Sequence, residues 1–150
     1  MSAKVTPTRL GHTAIPAHDP ARVAEFYRDL LELQIVRQTS NPAVGEAVLL
    51  SGDPAREDHE LVLITNSAAR HIAFRVERVE QLRGLYNRAK RMGLQIPYAL
   101  DSGTAVGFFV RDPEGNAVEI YLAANEAHRD KPPLSEPGEI DRLILDGSAS

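Results

Sequence analysis

Two histidines and one glutamate are the side chains whose types and spacing best suit chemistry in this chain. His12 lies in Gly11-His12-Thr13-Ala14-Ile15, and His71 lies in the similar segment Arg70-His71-Ile72-Ala73-Phe74. Glu119 lies in the last strand-like segment. Two imidazoles and one carboxylate bind a divalent transition metal and leave coordination positions open for a substrate. The three residues are therefore predicted to form a metal site.

Each of these residues also has a simpler interpretation. A glutamate on a half-buried strand usually faces water, and a single histidine is usually a hydrogen-bonded core or surface side chain. Coincidence explains the set less well, because His12 and His71 occupy matching places in an internal duplication. His18, beside a helix cap, and His128, in the C-terminal tail, lie outside this match and receive no role.

Composition restricts the class of the protein and its partners. A chain of 150 residues, 43% of them hydrophobic, fits one compact domain. There is no cysteine, so any metal must be bound through nitrogen and oxygen. The formal net charge of -4 gives no overall positive field for nucleic acid. Without an apolar run near the roughly 20 residues of a membrane span, or a signal-peptide pattern, a soluble cytoplasmic protein is expected.

Hydrophobic periodicity divides the chain into two similar halves. In the first half, alternation predicts a strand from Arg9 to Ala17, and Asp19 and Pro20 begin a helix. Three strands are predicted to follow, at residues 33–38, 46–51 and 60–65. The helix carries apolar residues at helical spacing, which predicts a buried stripe made of Val23, Phe26, Tyr27, Leu30 and Leu31.

The same order returns in the second half. A strand is predicted at residues 71–76, a helix at 79–92 closed by Gly93, and strands at 94–99, 106–111 and 117–122. The order βαβββ, found twice, predicts an α+β fold. It places two modules at about residues 8–66 and 70–123 within a domain of residues 1–123, and leaves residues 124–150 as a polar tail.

Strand periodicity tests whether the three side chains can meet, because residues two apart share a face of a strand. His71 and Glu119 both lie opposite the apolar faces of their strands, which are formed by Ile72, Phe74 and Val76 and by Val118, Ile120 and Leu122. Both should point to the concave side of a cupped, open mixed sheet barrel with the helices on the outside. The pattern does not decide which face of its strand His12 occupies, because apolar Ala14 lies on the same face as His12 and apolar Ile15 lies on the opposite face.

Four segments together resemble the vicinal oxygen chelate superfamily. They are residues 10–15, residues 19–31 with Asp19-Pro20 and Phe26-Tyr27, residues 71–74, and the run Arg111-Asp112-Pro113-Glu114-Gly115-Asn116-Ala117-Val118-Glu119. The resemblance covers roughly residues 8 to 123. The superfamily includes glyoxalase I, extradiol ring-cleaving dioxygenases, fosfomycin-resistance transferases and metal-free bleomycin-binding proteins. The resemblance implies that His12, His71 and Glu119 bind the metal.

Single positions distinguish the branches of that superfamily. Glyoxalase I members have a fourth ligand, a glutamate on the fourth strand, where the repeat alignment places Leu63. Fosfomycin transferases have a threonine two residues after the first histidine, where this chain has Ala14. The three-ligand set resembles extradiol dioxygenases, and His59 lies where that family has an acid/base histidine.

Two positions depart from the dioxygenase pattern. The family has a histidine in an Asp-His-Gly segment, where this chain has Asp101-Ser102-Gly103. It also has a tyrosine ten residues before the ligand glutamate, where this chain has Phe109, which cannot donate a hydrogen bond.

The resemblance predicts a metal-dependent enzyme, most like an extradiol dioxygenase acting on a catechol-like substrate with two adjacent oxygens. Fe(II) is the expected ion, with Mn, Ni, Co and Zn as alternatives. Phe108, Phe109 and Tyr98 are candidate substrate-binding residues by residue type. A glyoxalase-type isomerase or lyase and a non-enzymatic small-molecule-binding protein remain alternatives. The resemblance also implies a homodimer.

Overall fold

The computed structural model describes residues 8–97, 99–101 and 105–123. The first module comprises β1 (Arg9–Pro16), α1 (Pro20–Leu31), β2 (Gln34–Asn41), β3 (Gly45–Ser51) and β4 (Leu61–Ile64). After a short 3-10 turn (Ser67–Ala69), the second module comprises β5 (His71–Val76), α2 (Val79–Arg91), β6 (Ala99–Asp101), β7 (Ala105–Arg111) and β8 (Ala117–Ala123). Residues 124–150, the predicted tail, lie outside the described residues.

The strand order is the same in both modules. It is β2-β3-β4-β1 in the first and β6-β7-β8-β5 in the second, so both modules have one pattern of neighbours. In the first module β1 pairs with β4 in parallel, whereas β2, β3 and β4 pair antiparallel. In the second, β7 pairs antiparallel with β6 and β8. The sheet is mixed and open, which confirms the predicted α+β fold of two βαβββ modules.

Contacts along the chain define two compact units. One is Gly11–Ile72, and the other combines the described residues of Met1–Leu10 with those of Ala73–Ser150. The first unit contains His12, His59 and His71, and the second contains Glu119. Within the described residues, no helix is both long and apolar enough to cross a membrane.

Helix α1 begins as predicted but buries fewer residues than predicted. Asp19 caps its N-terminus by accepting a hydrogen bond from the Arg22 N–H at 3.2 Å, and Pro20 is the first helical residue. Small Ala24 is fully buried and allows close approach to β3 and β4, while Val23 and Tyr27 pack at its sides. Phe26, Leu30 and Leu31 are exposed instead of buried, because Phe26 lies off this face and the two leucines are in the last turn.

The second module has a core of its own beneath α2. Leu82, Tyr86 and Ala89 of the helix pack against Val106, Phe108 and Val110 of β7. The predicted strand at residues 94–99 is wrong over most of its length, since β6 begins only at Ala99. The physical reason lies at the end of the helix, where Gly93 has a positive φ and the Leu94 N–H donates to the Ala89 carbonyl. Leu94 therefore closes α2 and does not start a strand.

Candidate metal centre

The imidazoles of His12 and His71 converge on each other. Their Nε2 atoms lie 3.2 Å apart, although the residues come from different strands, β1 and β5. The Thr13 hydroxyl donates a hydrogen bond to the His71 carbonyl at 3.2 Å and so links the two strands beside the pair. His12 is only 6% exposed. Of the predicted site residues, these two are brought together most directly.

The face of His12, which its sequence pattern left open, is set by its strand neighbours. Ala14 packs with Val62 and Ile64, whereas Ile15 packs with the core beneath α1. Residues two apart share a face, so His12 lies on the side of the first module's sheet opposite α1. We call this side, which faces away from α1, the far face of the first module.

A local turn fixes the orientation of the His71 ring. The 3-10 turn Ser67–Ala69 is capped by Asn66, whose side chain accepts from the Ala68 N–H at 3.1 Å. The Ala69 carbonyl then lies 2.9 Å from His71 Nδ1. A carbonyl can only accept, so Nδ1 carries the proton and, in the neutral ring, Nε2 keeps its lone pair. This is the tautomer that a metal-binding histidine with a backbone acceptor adopts.

Glu119 is a buried carboxylate on β8. It is 7% exposed and lies between Val118 and Ile120, which pack against the α2 core. Its side chain therefore lies on the face of β8 opposite α2, next to its pairing partner Phe109 on β7. The strand pattern predicted this placement.

Leu63 corrects one detail of the predicted internal alignment. It is fully buried beneath α1, whereas Glu119 faces away from α2, so the alignment of Leu63 with Glu119 is out of register by one residue. The β4 positions on the far face of the first module are Val62 and Ile64. Both are apolar, so β4 still supplies no fourth carboxylate ligand.

His12 and His71 lie in the same compact unit and could hold a metal ion together, while Glu119, the third predicted ligand, lies in the other unit. The histidine pair fits this role. Two nitrogens bound to one ion at about 2.1 Å lie roughly 3.0 to 3.4 Å apart at octahedral or tetrahedral angles. The observed Nε2 separation of 3.2 Å falls within that interval. Two nitrogens and an oxygen suit Fe, Mn, Co, Ni and Zn alike.

His59 stands directly beside this pair. Its ring centroid is 4.4 Å from that of His12, at an interplanar angle of 51°, and its side chain is 16% exposed. Its Nδ1 lies 2.7 Å from an Asp58 carboxylate oxygen, which accepts the hydrogen bond. Asp58 is in turn held by the guanidinium of Arg37, which donates through both terminal nitrogens.

Burial and neighbouring groups shift the pKa values of both Asp58 and His59, and they leave His59 uncharged near neutral pH. Hydrogen bonds from Arg37, with a smaller contribution from His59, lower the pKa of the Asp58 carboxyl to about 2. Burial lowers the pKa of His59 below 6.5 and the nearby His12 contributes to the shift, while Asp58 opposes it. A neutral imidazole with Nδ1–H bound to Asp58 has Nε2 available as a proton acceptor.

The predicted substrate-binding residues do not share one environment. Phe108 is fully buried beneath α2, with its ring 5.2 Å from that of Tyr86, so it cannot contact a substrate on the opposite face. Phe109 lies on the face of β7 and β8 that carries Glu119. Tyr98 lies outside the described residues, as do Ser102 and Gly103.

Arg37 and Asp58 are the residues that sequence reasoning missed. They are 21 positions apart in the chain, and Asp58 reads as part of the charged run Arg56-Glu57-Asp58. Only the aspartate directly before His59 could have drawn attention to the pair.

The family model described as the Glyoxalase/Bleomycin resistance protein/Dioxygenase superfamily matches residues 9–120. The chain belongs to that superfamily, which confirms the resemblance found in the sequence. No curated protein matches the chain.

Dioxygenases and an epimerase are among the solved structures that resemble the chain. The 2,3-dioxygenase LapB from Pseudomonas sp. KL28 is 18% identical with a TM-score of 0.66, and the match covers 85% of this chain and 46% of that one. The 2,2',3-trihydroxybiphenyl 1,2-dioxygenase from Sphingomonas wittichii strain RW1 is 20% identical with a TM-score of 0.60, over 76% and 42%. Methylmalonyl-CoA epimerase from Mycobacterium tuberculosis is 18% identical with a TM-score of 0.63, over 85% and 95%.

These likenesses establish the fold. The chain spans less than half the length of the dioxygenases it matches, but nearly the whole length of the epimerase. Dioxygenases and an epimerase thus share this fold, so the fold alone does not determine an activity.

Proposed function

We propose that this protein is a divalent-metal-dependent enzyme whose substrate presents two adjacent oxygen atoms. His12, His71 and Glu119 would hold the ion. Among the activities of the superfamily, the site is most like that of an extradiol ring-cleaving dioxygenase acting on a catechol-like substrate, with Fe(II) as its ion. A cytoplasmic location remains part of the proposal.

One observation carries the proposal. The His12 and His71 Nε2 atoms approach to 3.2 Å while His71 Nδ1 donates to the Ala69 carbonyl. The two Nε2 atoms thus lie side by side, and His71 is in the tautomer that leaves its Nε2 as an acceptor, which supports a role as metal ligands. Packing alone would not require the two nitrogens to face each other.

The residues around the pair have distinct parts in the chemistry. When bound, a divalent ion would act as a Lewis acid on the two substrate oxygens. His59, with Nδ1–H held by Asp58, would accept a proton from a substrate hydroxyl at Nε2 and return it later. Phe109, on the same strand face as Glu119, would give a planar substrate an apolar contact.

Oxygen uptake tests the dioxygenase assignment. Protein purified under anaerobic conditions and loaded with Fe(II) should bind one iron per chain and consume oxygen with at least one catechol of a panel. The His59→Asn variant should retain the iron but lose most of the turnover, about 100-fold or more for a lost acid/base group. Iron binding without uptake from any catechol would exclude ring cleavage.

An isomerase or epimerase is the second candidate, favoured by Phe109. Phenylalanine cannot donate the hydrogen bond that a tyrosine supplies at this position in the dioxygenases. An isomerase or epimerase only transfers a proton next to a carbonyl group, and that reaction does not consume molecular oxygen. The probe is methylmalonyl-CoA in D2O, with Co(II), Ni(II) or Zn(II) loaded in turn. Metal-dependent deuterium incorporation, lost in His59→Asn, would support this candidate. A protein that binds small molecules but no metal would instead match the non-enzymatic alternative.

The homodimer implied by the resemblance stays a prediction. Phe26, Leu30 and Leu31 of α1 are each more than half exposed, and such apolar surface often marks an association site. Light scattering coupled to gel filtration should give twice the chain mass of 16.4 kDa. A monomer at micromolar concentration would contradict the prediction.

A further inference from the structure

Arg37 reaches the far face of the first module because of a β-bulge. Along β2, Ile35 pairs with Leu50 of β3, but Arg37 pairs with Leu49, so Val36 is an extra residue in the ladder. Leu50 belongs to the core beneath α1, whereas Leu49 packs on the opposite face with Ala47. A shift of one residue moves a side chain to the other face of the sheet.

Without the bulge, Arg37 would share a face with Ile35 and point into the core beneath α1. With it, the guanidinium lies on the same side of the sheet as His12. Bulges often re-aim a side chain next to an active site. The irregularity therefore accounts for where Arg37 points.

The guanidinium is used to hold one carboxylate. Arg37 donates to Asp58 through both terminal nitrogens, one bond being 2.9 Å long. The Asp58 oxygen that accepts from the second nitrogen also accepts from His59 Nδ1 at 2.7 Å. A bidentate pair restrains the carboxylate in a plane and a direction. His59, which donates to the same carboxylate, is thereby restrained as well.

We propose that Arg37 and Asp58 are positioning residues that fix the His59 ring with its proton on Nδ1 and its Nε2 free to take a substrate proton. The inference rests on the proposed function, since it assigns a role to the partners of the proposed acid/base histidine. Stability alone explains the pair poorly. The Arg37 and Asp58 side chains are 36% and 40% exposed, and ion pairs at such positions contribute little to folding.

The tautomer of His59 can be measured without substrate or metal. Proton–nitrogen correlation spectra of the metal-free, nitrogen-15-labelled protein report which imidazole nitrogen carries the proton, and His59→Asn assigns the signals. In the wild type, the Nδ1–H form should dominate. In Asp58→Ala, it should become the minor form, because the acceptor is gone. Arg37→Gln should shift the population in the same direction by a smaller amount.

A matched control and a metal measurement complete the test. Arg28 and Asp29 form an exposed pair on α1, 3.1 Å apart, so Asp29→Ala removes a similar carboxylate elsewhere and should leave the His59 signals unchanged. Co(II) binding by Asp58→Ala should remain within threefold of the wild type. A dominant Nε2–H form in the wild type, or an unchanged Nδ1–H form in Asp58→Ala, would overturn the inference. Failure of the wild type to bind Co(II) would count against the proposed function alone.

Discussion

The connections that precede the last strand differ between the two modules. In the second module, β7 and β8 are joined by residues 112–116, where the Asp112 carboxylate accepts the Glu114 and Asn116 N–H groups and Gly115 has a positive φ. In the first, β3 and β4 are joined by residues 52–60, which carry Asp58 and His59. The shorter connection only reverses the chain, whereas the longer one brings polar side chains beside His12. Chemistry is commonly added to a scaffold through its loops in this way.

The last strands show the opposite distribution. All four residues of β4 are buried and apolar, so this strand only builds core. In β8, Glu119 interrupts the apolar pattern on the face away from α2. The first module therefore has its polar residues in the connection before its last strand. The second module has its carboxylate within its last strand. The following predictions test this division.

The largest expected effect is the loss of metal binding in His71→Ala. A direct ligand is removed, so affinity for Co(II) should fall by more than the roughly 100-fold that loss of an outer hydrogen-bond partner causes. Absorption titration measures the affinity, and circular dichroism checks that the fold is kept. The control is His18→Ala, since His18 is exposed beside the α1 cap. Equal affinity in both variants would refute the ligand assignment.

Substitutions at Leu63 and Glu119 should affect different properties. The first should mainly change stability, and the second should mainly change metal binding. Leu63→Ala opens a cavity beneath α1 and should reduce the free energy of unfolding by about 2–5 kcal/mol, while the folded fraction still binds Co(II). Glu119→Gln keeps the shape but removes the charge, and should weaken Co(II) binding far more than it changes unfolding.

Urea denaturation measures the unfolding energies in these variants. Leu30→Ala serves as the control for Leu63→Ala, because Leu30 is 63% exposed and its loss should change stability by no more than about 0.5 kcal/mol. A small effect for Leu63→Ala would mean that β4 is not the structural strand described above.

The smallest expected effect is on the pH dependence of stability. Burial lowers the pKa of His59 in the folded protein below 6.5, so the unfolded chain binds this proton more readily. The contribution of His59 is complete above pH 6.5 and is lost as the pH falls below it, by at most about 1.4 kcal/mol per pH unit for one proton. Asp58, with its pKa at about 2, stays charged in this range.

Urea denaturation of the metal-free protein between pH 7.5 and 5 measures this dependence. The His59→Asn variant should lose less stability on acidification than the wild type. Identical slopes for the two proteins would show that His59 is not buried as described.

Much of the fold followed from periodicity, since β5 begins and ends where alternation predicts and Asp19-Pro20 begins α1. The placement of Glu119 also followed, because a strand with one apolar face leaves its polar residue on the other. These features depend on neighbours in the sequence, which a single chain displays directly.

The features that escaped prediction depend on tertiary contacts. A β-bulge at Val36 has no mark in the segment Gln34-Ile35-Val36-Arg37, yet it decides where Arg37 points. Phe26 is exposed because α1 packs on the sheet through the face that carries Ala24. The pairing of Arg37 with Asp58 joins residues that no local pattern connects.

Anomalous diffraction from crystals grown with Co(II) would test the central claim most directly. A single peak per chain is expected, with His12 Nε2, His71 Nε2 and a Glu119 carboxylate oxygen each at about 2.0 to 2.2 Å from it. A peak at other residues, or no peak while the two imidazoles remain bonded to each other, would contradict the claim.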